Sequence, residues 1–147
     1  MNATTAVQPS VLDVVLDTNV VLDLLIFTDP ATPPLREALH AGHLRWIATP
    51  AMREELARVL DYAHLQGRLA FYQLSAADVL AAYDRQVQLV EVAPKAPMVC
   101  TDADDQKFID LAFTHRAMLL SKDKAVLKLK KRLLRVGVSV QTALVPA

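Results

Sequence analysis

The chain has 147 residues, 16 of them Lys or Arg and 16 Asp or Glu, so its formal net charge of zero gives it no long-range attraction for nucleic acid. Its hydrophobic fraction of 53% and mean hydropathy of +0.25 favour a single domain built on a sheet that is covered on both faces. A single cysteine, Cys100, excludes an internal disulfide bond, and the lack of any uncharged stretch of about 18 residues excludes a membrane-spanning helix.

The first ten residues are expected to carry no targeting signal, because they lack the basic start and apolar core of a signal peptide. We expect residues 1–10 to form a disordered tail and residues 11–147 to form one domain. A reducing compartment is the natural setting for a chain with one cysteine. The protein is therefore expected to be soluble and cytoplasmic.

The first half of the chain alternates apolar runs with short polar segments. In chain order it predicts a strand at about 12–17, helices at about 19–28 and 34–41, a strand at about 44–48, and a helix that begins at Thr49-Pro50 and ends near His64. A threonine followed by a proline is a favoured start for a helix. The pattern of Gln66 to Leu74 is ambiguous.

The second half continues the alternation. It predicts a helix capped by Ser75 and ending near Gln88, a short strand at 89–92, and a loop at 93–97. A helix opened by the acidic turn 101–105 and ending near His115 follows, and then a strand at 117–121. The last predicted elements are a basic helical stretch from Lys124 to Lys131 and a strand at 136–140. Strands that alternate with helices predict a three-layer α/β/α sandwich with a mainly parallel central sheet. The three glycines complete neither a dinucleotide-binding motif nor a P-loop.

Two carboxylates in the first half stand in unusual positions. Asp17 ends the first predicted strand, where ligands gather in an open parallel sheet, although Asp17 or Asn19 could simply cap the following helix. Glu55 lies at the edge of the apolar stripe of its helix, whereas Glu54 faces the opposite, solvated side. A carboxylate beside apolar residues needs a partner, which could be a metal ion or a nearby arginine.

Three more acids follow in the second half. Asp105 lies at the centre of the apolar stripe of its predicted helix, and Asp104 falls to one side. Asp102 could cap that helix or belong to the outer part of a site. Asp123 follows the 117–121 strand and could equally cap the next helix or pair with Lys122.

Asp17, Glu55, Asp105 and Asp123 are predicted to converge on one cleft, because they follow strands or begin helices at the same edge of the sheet. Carboxylates this close would raise one another's pKa values unless cations neutralised them. Oxygen-only sites suit Mg²⁺ or Mn²⁺. The four histidines are predicted at or near helix ends, as surface or capping residues.

A basic segment follows the last of these acids, with seven of the sixteen Lys and Arg residues between Lys122 and Arg135. It could be the solvated face of a helix. Alternatively, Lys122, Lys124 and the later basic residues steer a nucleic-acid backbone toward the acidic cleft, which would otherwise repel it.

The chain resembles the PIN-domain ribonucleases, in particular the branch that contains toxins of bacterial toxin–antitoxin systems. The resemblance covers about residues 12–141 and is carried by four segments: Val15 to Val20, Thr49 to Leu60, Cys100 to Phe108, and Leu119 to Asp123. It implies that Asp17, Glu55, Asp105 and Asp123 are metal-binding catalytic acids supported by Asn19, Asp102 and Ser121. Ser121 replaces a frequent threonine of the family, and Gln106 replaces a frequent asparagine of this branch.

The function implied is Mg²⁺- or Mn²⁺-dependent hydrolysis of single-stranded RNA that leaves 5′-phosphate and 3′-hydroxyl ends. One alternative is a non-catalytic RNA-binding module on the same fold. Another is a haloacid-dehalogenase-like phosphatase, but Asn19 stands where the second acid of its D-x-D pair would be. The resemblance also implies a homodimer and an antitoxin partner. The helices between about Val20 and His64 are expected to contribute to the dimer interface, because the apolar residues from Val20 to Phe27 encircle their predicted helix.

Overall fold

The computed structural model describes residues 11–144, and the predicted disordered tail at residues 1–10 lies outside the described residues. Within that part of the chain, five strands form one sheet in the order β3-β2-β1-β4-β5, and each pair of neighbours is parallel. The strands are β1 (Leu12–Leu16), β2 (Leu44–Ala48), β3 (Val87–Leu89), β4 (Met118–Leu120) and β5 (Val140–Gln141).

Eight α-helices of the described residues flank the sheet, so the predicted three-layer α/β/α fold is confirmed. They are α1 (Thr18–Leu22), α2 (Pro33–His40), α3 (Pro50–Leu60), α4 (Ala63–Phe71), α5 (Ala76–Gln86), α6 (Gln106–His115), α7 (Lys124–Leu127) and α8 (Lys130–Arg135). A π-helical segment, Asp23–Phe27, continues α1, and a 3₁₀ turn, Ala103–Asp105, precedes α6. No helix within residues 11–144 is long and apolar enough to cross a membrane.

The core lies on both faces of the sheet. Val14 and Val15 of β1, Ile47 of β2 and Leu119 of β4 are completely inaccessible to solvent. Continuous apolar burial of this kind is expected for strands that helices cover on both sides. The single tryptophan, Trp46, is also buried and packs edge-to-face against Tyr83 with ring centroids 5.1 Å apart.

The helix predicted from Thr49 to about His64 is two helices. The first ends at Leu60, and the extended backbone of Tyr62 (φ −64°, ψ 139°) then redirects the chain into α4. The carbonyl oxygen of Tyr62 accepts hydrogen bonds from the amides of Leu65 and Gln66 and so begins α4. The Thr49 hydroxyl makes no capping hydrogen bond, whereas Ser75 caps α5 in a reciprocal capping box with Asp78, as the sequence predicts.

Three smaller boundaries also differ from the prediction. The third strand is Val87–Leu89 rather than 89–92, and the last strand is Val140–Gln141 rather than 136–140. Gly137 adopts a left-handed backbone conformation (φ +88°), which belongs to a turn and not to a strand. The basic stretch from Lys124 to Lys131 is broken between α7 and α8 rather than continuous.

The order of the strands determines where a ligand can approach. The chain leaves β1 for β2 and β3 on one side and later returns to β4 and β5 on the other side. The carboxyl ends of β1 and β4 therefore lie side by side at the point where the strand order reverses, and Leu16 pairs with Leu120 there. Ligands of open parallel sheets bind at such points.

Candidate metal centre

A cleft of about 410 Å³ opens beyond the carboxyl ends of β1 and β4. All four predicted acids, Asp17, Glu55, Asp105 and Asp123, line it. A larger groove, of about 700 Å³, lies beside the amino ends of β2 and β3 and is lined by no carboxylate. The acidic cleft is therefore the candidate cation site.

Asp17 is buried at the end of β1 and caps α1, as the capping interpretation predicted. One carboxylate oxygen accepts a hydrogen bond from the amide of Val20 (3.0 Å), and the other accepts one from the Ser121 hydroxyl. Burial raises the pKa of the Asp17 carboxyl, although these two hydrogen bonds act in the opposite direction. Although it caps α1, Asp17 is among the residues that line the cleft, and its role as a metal ligand stays a prediction.

Ser121 connects the ends of the two neighbouring strands. Its side chain is fully buried, donates to Asp17 and accepts the amide hydrogen of Asp123 (3.1 Å). Asp123 in turn caps α7 by accepting the amide hydrogen of Ala125 (2.8 Å). One hydroxyl therefore orients two of the acids at once.

Asp105 is the centre of the acidic cluster. Oxygens of Asp102, Asp105 and Asp123 lie within 4.8 Å of one another. Asp105 is only 9% exposed, and its Oδ2 atom is completely buried without a hydrogen-bond partner among residues 11–144. Burial is the main cause that raises the pKa of Asp105 to about 7. The negative charge of the nearby Asp123, and a hydrogen bond with it, act in the same direction.

This arrangement fits a divalent cation. A buried carboxylate oxygen without a partner is costly, and a bound cation would supply the missing interaction. The surrounding donors are carboxylate oxygens, the ligands that Mg²⁺ and Mn²⁺ prefer. Asp102, which we expected only in a supporting role, belongs to the tightest triplet, whereas Asp17 and Glu55 line the same cleft outside that triplet.

Glu55 has protein partners for both of its carboxylate oxygens. Oε1 lies 2.6 Å from the Lys107 ammonium, and Oε2 accepts a hydrogen bond from the Thr18 hydroxyl. Lys107 also donates to the carbonyl oxygen of Asp104. An ion pair was the alternative interpretation of Glu55, and the structure contains it, with Lys107 in place of an arginine.

The sequence neighbours of these acids are more exposed to solvent. Glu54 is exposed on α3, and Asp104 is exposed at the rim of the cleft, whereas Asp105 is buried. Asp105 lies in the 3₁₀ turn before α6 rather than within the helix. Asn19 lines the cleft with an exposed side chain.

The two lysines predicted to bind RNA are not among the residues that line the cleft. Lys122 forms an ion pair with Asp23, which raises the pKa of its ammonium group. Lys124 is exposed on α7. Their contact with RNA stays a prediction. Lys107, which pairs with Glu55, and Arg58, which lines the cleft, are cations that the sequence analysis did not single out.

A buried network holds the loop that carries Asp102. The side chain of Gln106 accepts the amide hydrogen of Cys100 (2.6 Å) and donates to the carbonyl oxygen of Met98 (2.9 Å) and to Asp110 (2.8 Å). Asp110, only 8% exposed, also accepts the amide hydrogen of Ala96 (2.8 Å). The only signal of this network in the sequence is the spacing of Gln106 and Asp110, which places them one helical turn apart.

The chain matches the family model described as PIN domain over residues 13–125. This span contains every acid of the cleft and of the Asp102 triplet. A search of curated proteins gave no match. Because the family model covers most of the chain and its members are generally metal-dependent nucleases, the acidic cleft lies on a nuclease-type fold, and the chain belongs to the PIN domain family.

Proposed function

We propose that the protein is an endoribonuclease that hydrolyses phosphodiester bonds of single-stranded RNA with the help of Mg²⁺ or Mn²⁺. The observation that carries this proposal is the buried Oδ2 of Asp105, which has no partner among residues 11–144. It belongs to a triplet of carboxylates beyond the ends of β1 and β4 in a PIN domain. When bound, the ion supplies positive charge for the scissile phosphate and an activated water.

The acids have different tasks in this proposal. Asp102, Asp105 and Asp123 would hold the ion, and Asp17 adds a fourth carboxylate whose orientation Ser121 maintains. Glu55 completes the acidic cleft and positions the Lys107 ammonium through their 2.6 Å contact. Lys107 then offsets part of the repulsion between the carboxylates and an RNA backbone.

The test is cleavage of a labelled single-stranded RNA with Mg²⁺, compared between matched variants. Asp17→Asn and Asp105→Asn remove a charge without changing shape, so each should lower the rate by on the order of 100-fold or more. Asp104→Asn, the exposed neighbour, should change it little. The same contrast is expected between Glu55→Gln and Glu54→Gln.

The products distinguish the proposal from its alternatives. Hydrolysis of the proposed kind leaves 5′-phosphate and 3′-hydroxyl ends, which end-labelling detects. RNA that is bound but never cut would identify a non-catalytic binding module on this fold. Wild-type rates for Asp105→Asn, or equal losses in both members of a pair, would refute the assigned site.

We further propose that the protein is the toxin of a toxin–antitoxin pair and acts in the cytoplasm as a homodimer. The four matching segments of the resemblance support the toxin role, and the single, buried Cys100 suits a reducing compartment. Expression that stops growth, and rescue by a small protein encoded next to it, would test that role.

The segment from Val20 to Phe27 leaves little apolar surface for the proposed dimer interface. Within residues 11–144, five of the apolar residues from Val20 to Phe27 are buried in their own chain, and only Leu25 and Phe27 stay partly accessible. Phe71, at the end of α4, is 78% exposed and gives better support for an interface. Light scattering should show a dimer for the wild type and a shift toward monomer for Phe71→Ser.

A further inference from the structure

One wall of the acidic cleft carries polar side chains beyond the acids. Glu55, Arg58 and Tyr62 all line the cleft and follow one another at intervals of three and four residues. Glu55 and Arg58 lie one helical turn apart on α3, and Tyr62 follows in the turn that joins α3 to α4. The lining of the cleft therefore offers a cation and an aromatic ring beside the acids.

Arg58 is a cation available to a ligand. It is exposed, and within residues 11–144 its guanidinium makes no ion pair or hydrogen bond. Arg53, earlier on the same helix, is instead held by Asp84 through two hydrogen bonds of 2.7 and 2.8 Å. A guanidinium beside a cluster of carboxylates provides a contact for phosphate where the acids alone would repel it.

Tyr62 presents an aromatic surface on a fixed backbone. Its side chain is 51% exposed, although large aromatic residues usually bury most of their area. The hydrogen bonds of its carbonyl oxygen with Leu65 (2.9 Å) and Gln66 (3.0 Å) anchor it at the start of α4. The ring lies next to His64, with centroids 6.0 Å apart, and at the mouth of the cleft.

We propose that Arg58 and Tyr62 form a subsite that binds a nucleotide next to the scissile phosphate, with the guanidinium on a backbone phosphate and the phenol ring stacked on a base. This inference rests on the proposed ribonuclease function and names the determinant of its substrate class. A base within a duplex is already stacked and cannot reach the ring, so the subsite selects single-stranded RNA.

The test measures binding by fluorescence anisotropy in the uncut Asp105→Asn background with Mg²⁺. Three probes of equal length are compared: a single-stranded RNA, the same strand without bases, and the RNA duplex. The parent protein should prefer the single strand over the abasic strand by about tenfold, as base–aromatic stacking predicts. The duplex should bind no better than the abasic strand.

Substitutions of Tyr62 and of Arg58 should change RNA binding in different ways. Tyr62→Ala should remove the preference for bases and leave abasic binding unchanged, whereas Tyr62→Phe should retain the preference. Arg58→Ala should weaken both single strands equally and lower the slope of log K against log salt by about one, and Arg58→Lys should retain that slope. Leu134→Ala and Arg85→Ala remove an exposed apolar side chain and an exposed arginine outside the cleft and should change neither property.

The outcomes separate this subsite from the proposed reaction. Tyr62→Ala with an unchanged base preference, or Arg58→Ala with an unchanged salt slope, would overturn the subsite even if the wild type cuts RNA. The expected pattern of binding in a protein whose wild type never cuts RNA would support the subsite and refute the ribonuclease. A base preference that falls equally in Leu134→Ala would also overturn the subsite.

Discussion

Asp105→Asn should make the metal-free protein more stable at pH 8, because it removes the most unfavourable charge of the cleft. The pKa of Asp105 is raised from 3.8 to about 7 in the folded protein, mainly by burial and by Asp123. The folded state therefore binds more protons than the unfolded state between these pH values. The free energy of unfolding must then fall as pH rises through that window and level off above about 7.

The size of the effect follows from the shift. Each unit of pKa change corresponds to about 1.4 kcal/mol in the free energy of unfolding, so the complete rise in the pKa of Asp105 corresponds to about 4 kcal/mol. Because water reaches the mouth of the cleft, we expect about 2–4 kcal/mol to be lost by the wild type between pH 4 and 8 with EDTA. Asp105→Asn should lose little over the same range, and Asp104→Asn should behave like the wild type.

The assay is urea unfolding followed by the fluorescence of Trp46, which is buried and is the only tryptophan. Mg²⁺ or Mn²⁺ should restore stability to the wild type at pH 8 and should have little effect on Asp105→Asn. This reasoning would be refuted if the stability of the wild type in EDTA rose with pH. It would also be refuted if the wild type and Asp105→Asn had the same pH dependence of stability.

Two further predictions concern the loop network and a turn. Gln106→Leu removes the hydrogen bonds that orient the loop of Asp102. The affinity for Mn²⁺ measured by calorimetry should therefore fall by about 10–100-fold, as it does for other residues that orient metal ligands. An unchanged affinity would contradict that role. Gly137→Ala should lower the free energy of unfolding by about 1–2 kcal/mol, because its φ is +88° and a Cβ would lie 3.1 Å from the Arg116 side chain. Gly42→Ala, with φ +78° and open space around it, should be less destabilising, and the opposite order would show that the contact is unimportant.

The central strands were predictable from the sequence because burial on both faces leaves long apolar runs. The strand predicted at 44–48 is β2, and the strand predicted at 12–17 ends one residue early. The edge strands were not predicted accurately. They have only three and two residues, and the polar Gln88 and Gln141 interrupt the apolar pattern.

The site was predictable where helical periodicity determines which side chains face inward. Periodicity distinguishes Glu55 from Glu54 and Asp105 from Asp104, and the burial of these residues agrees with it. Periodicity could not predict the ion pair between Lys107 and Glu55, because these residues are 52 positions apart in the chain and meet only in the folded protein. For the same reason, the position of Asp102 in the triplet depends on a loop whose shape the Gln106 network determines.

The Ser121 hydroxyl links the two strands across a sequence separation of 104 residues. Asp17 follows β1, the first strand that the structure describes, but β4, which carries its partner into place, is synthesised only after the helices α1 to α6. Contacts of such long sequence separation form late, because closing a large loop must precede them. A nascent chain that stops before Ser121 therefore has most of its helices and no assembled acidic centre. We expect a ribosome-bound fragment of the protein to be harmless to the RNA around it until nearly the whole domain has emerged and folded.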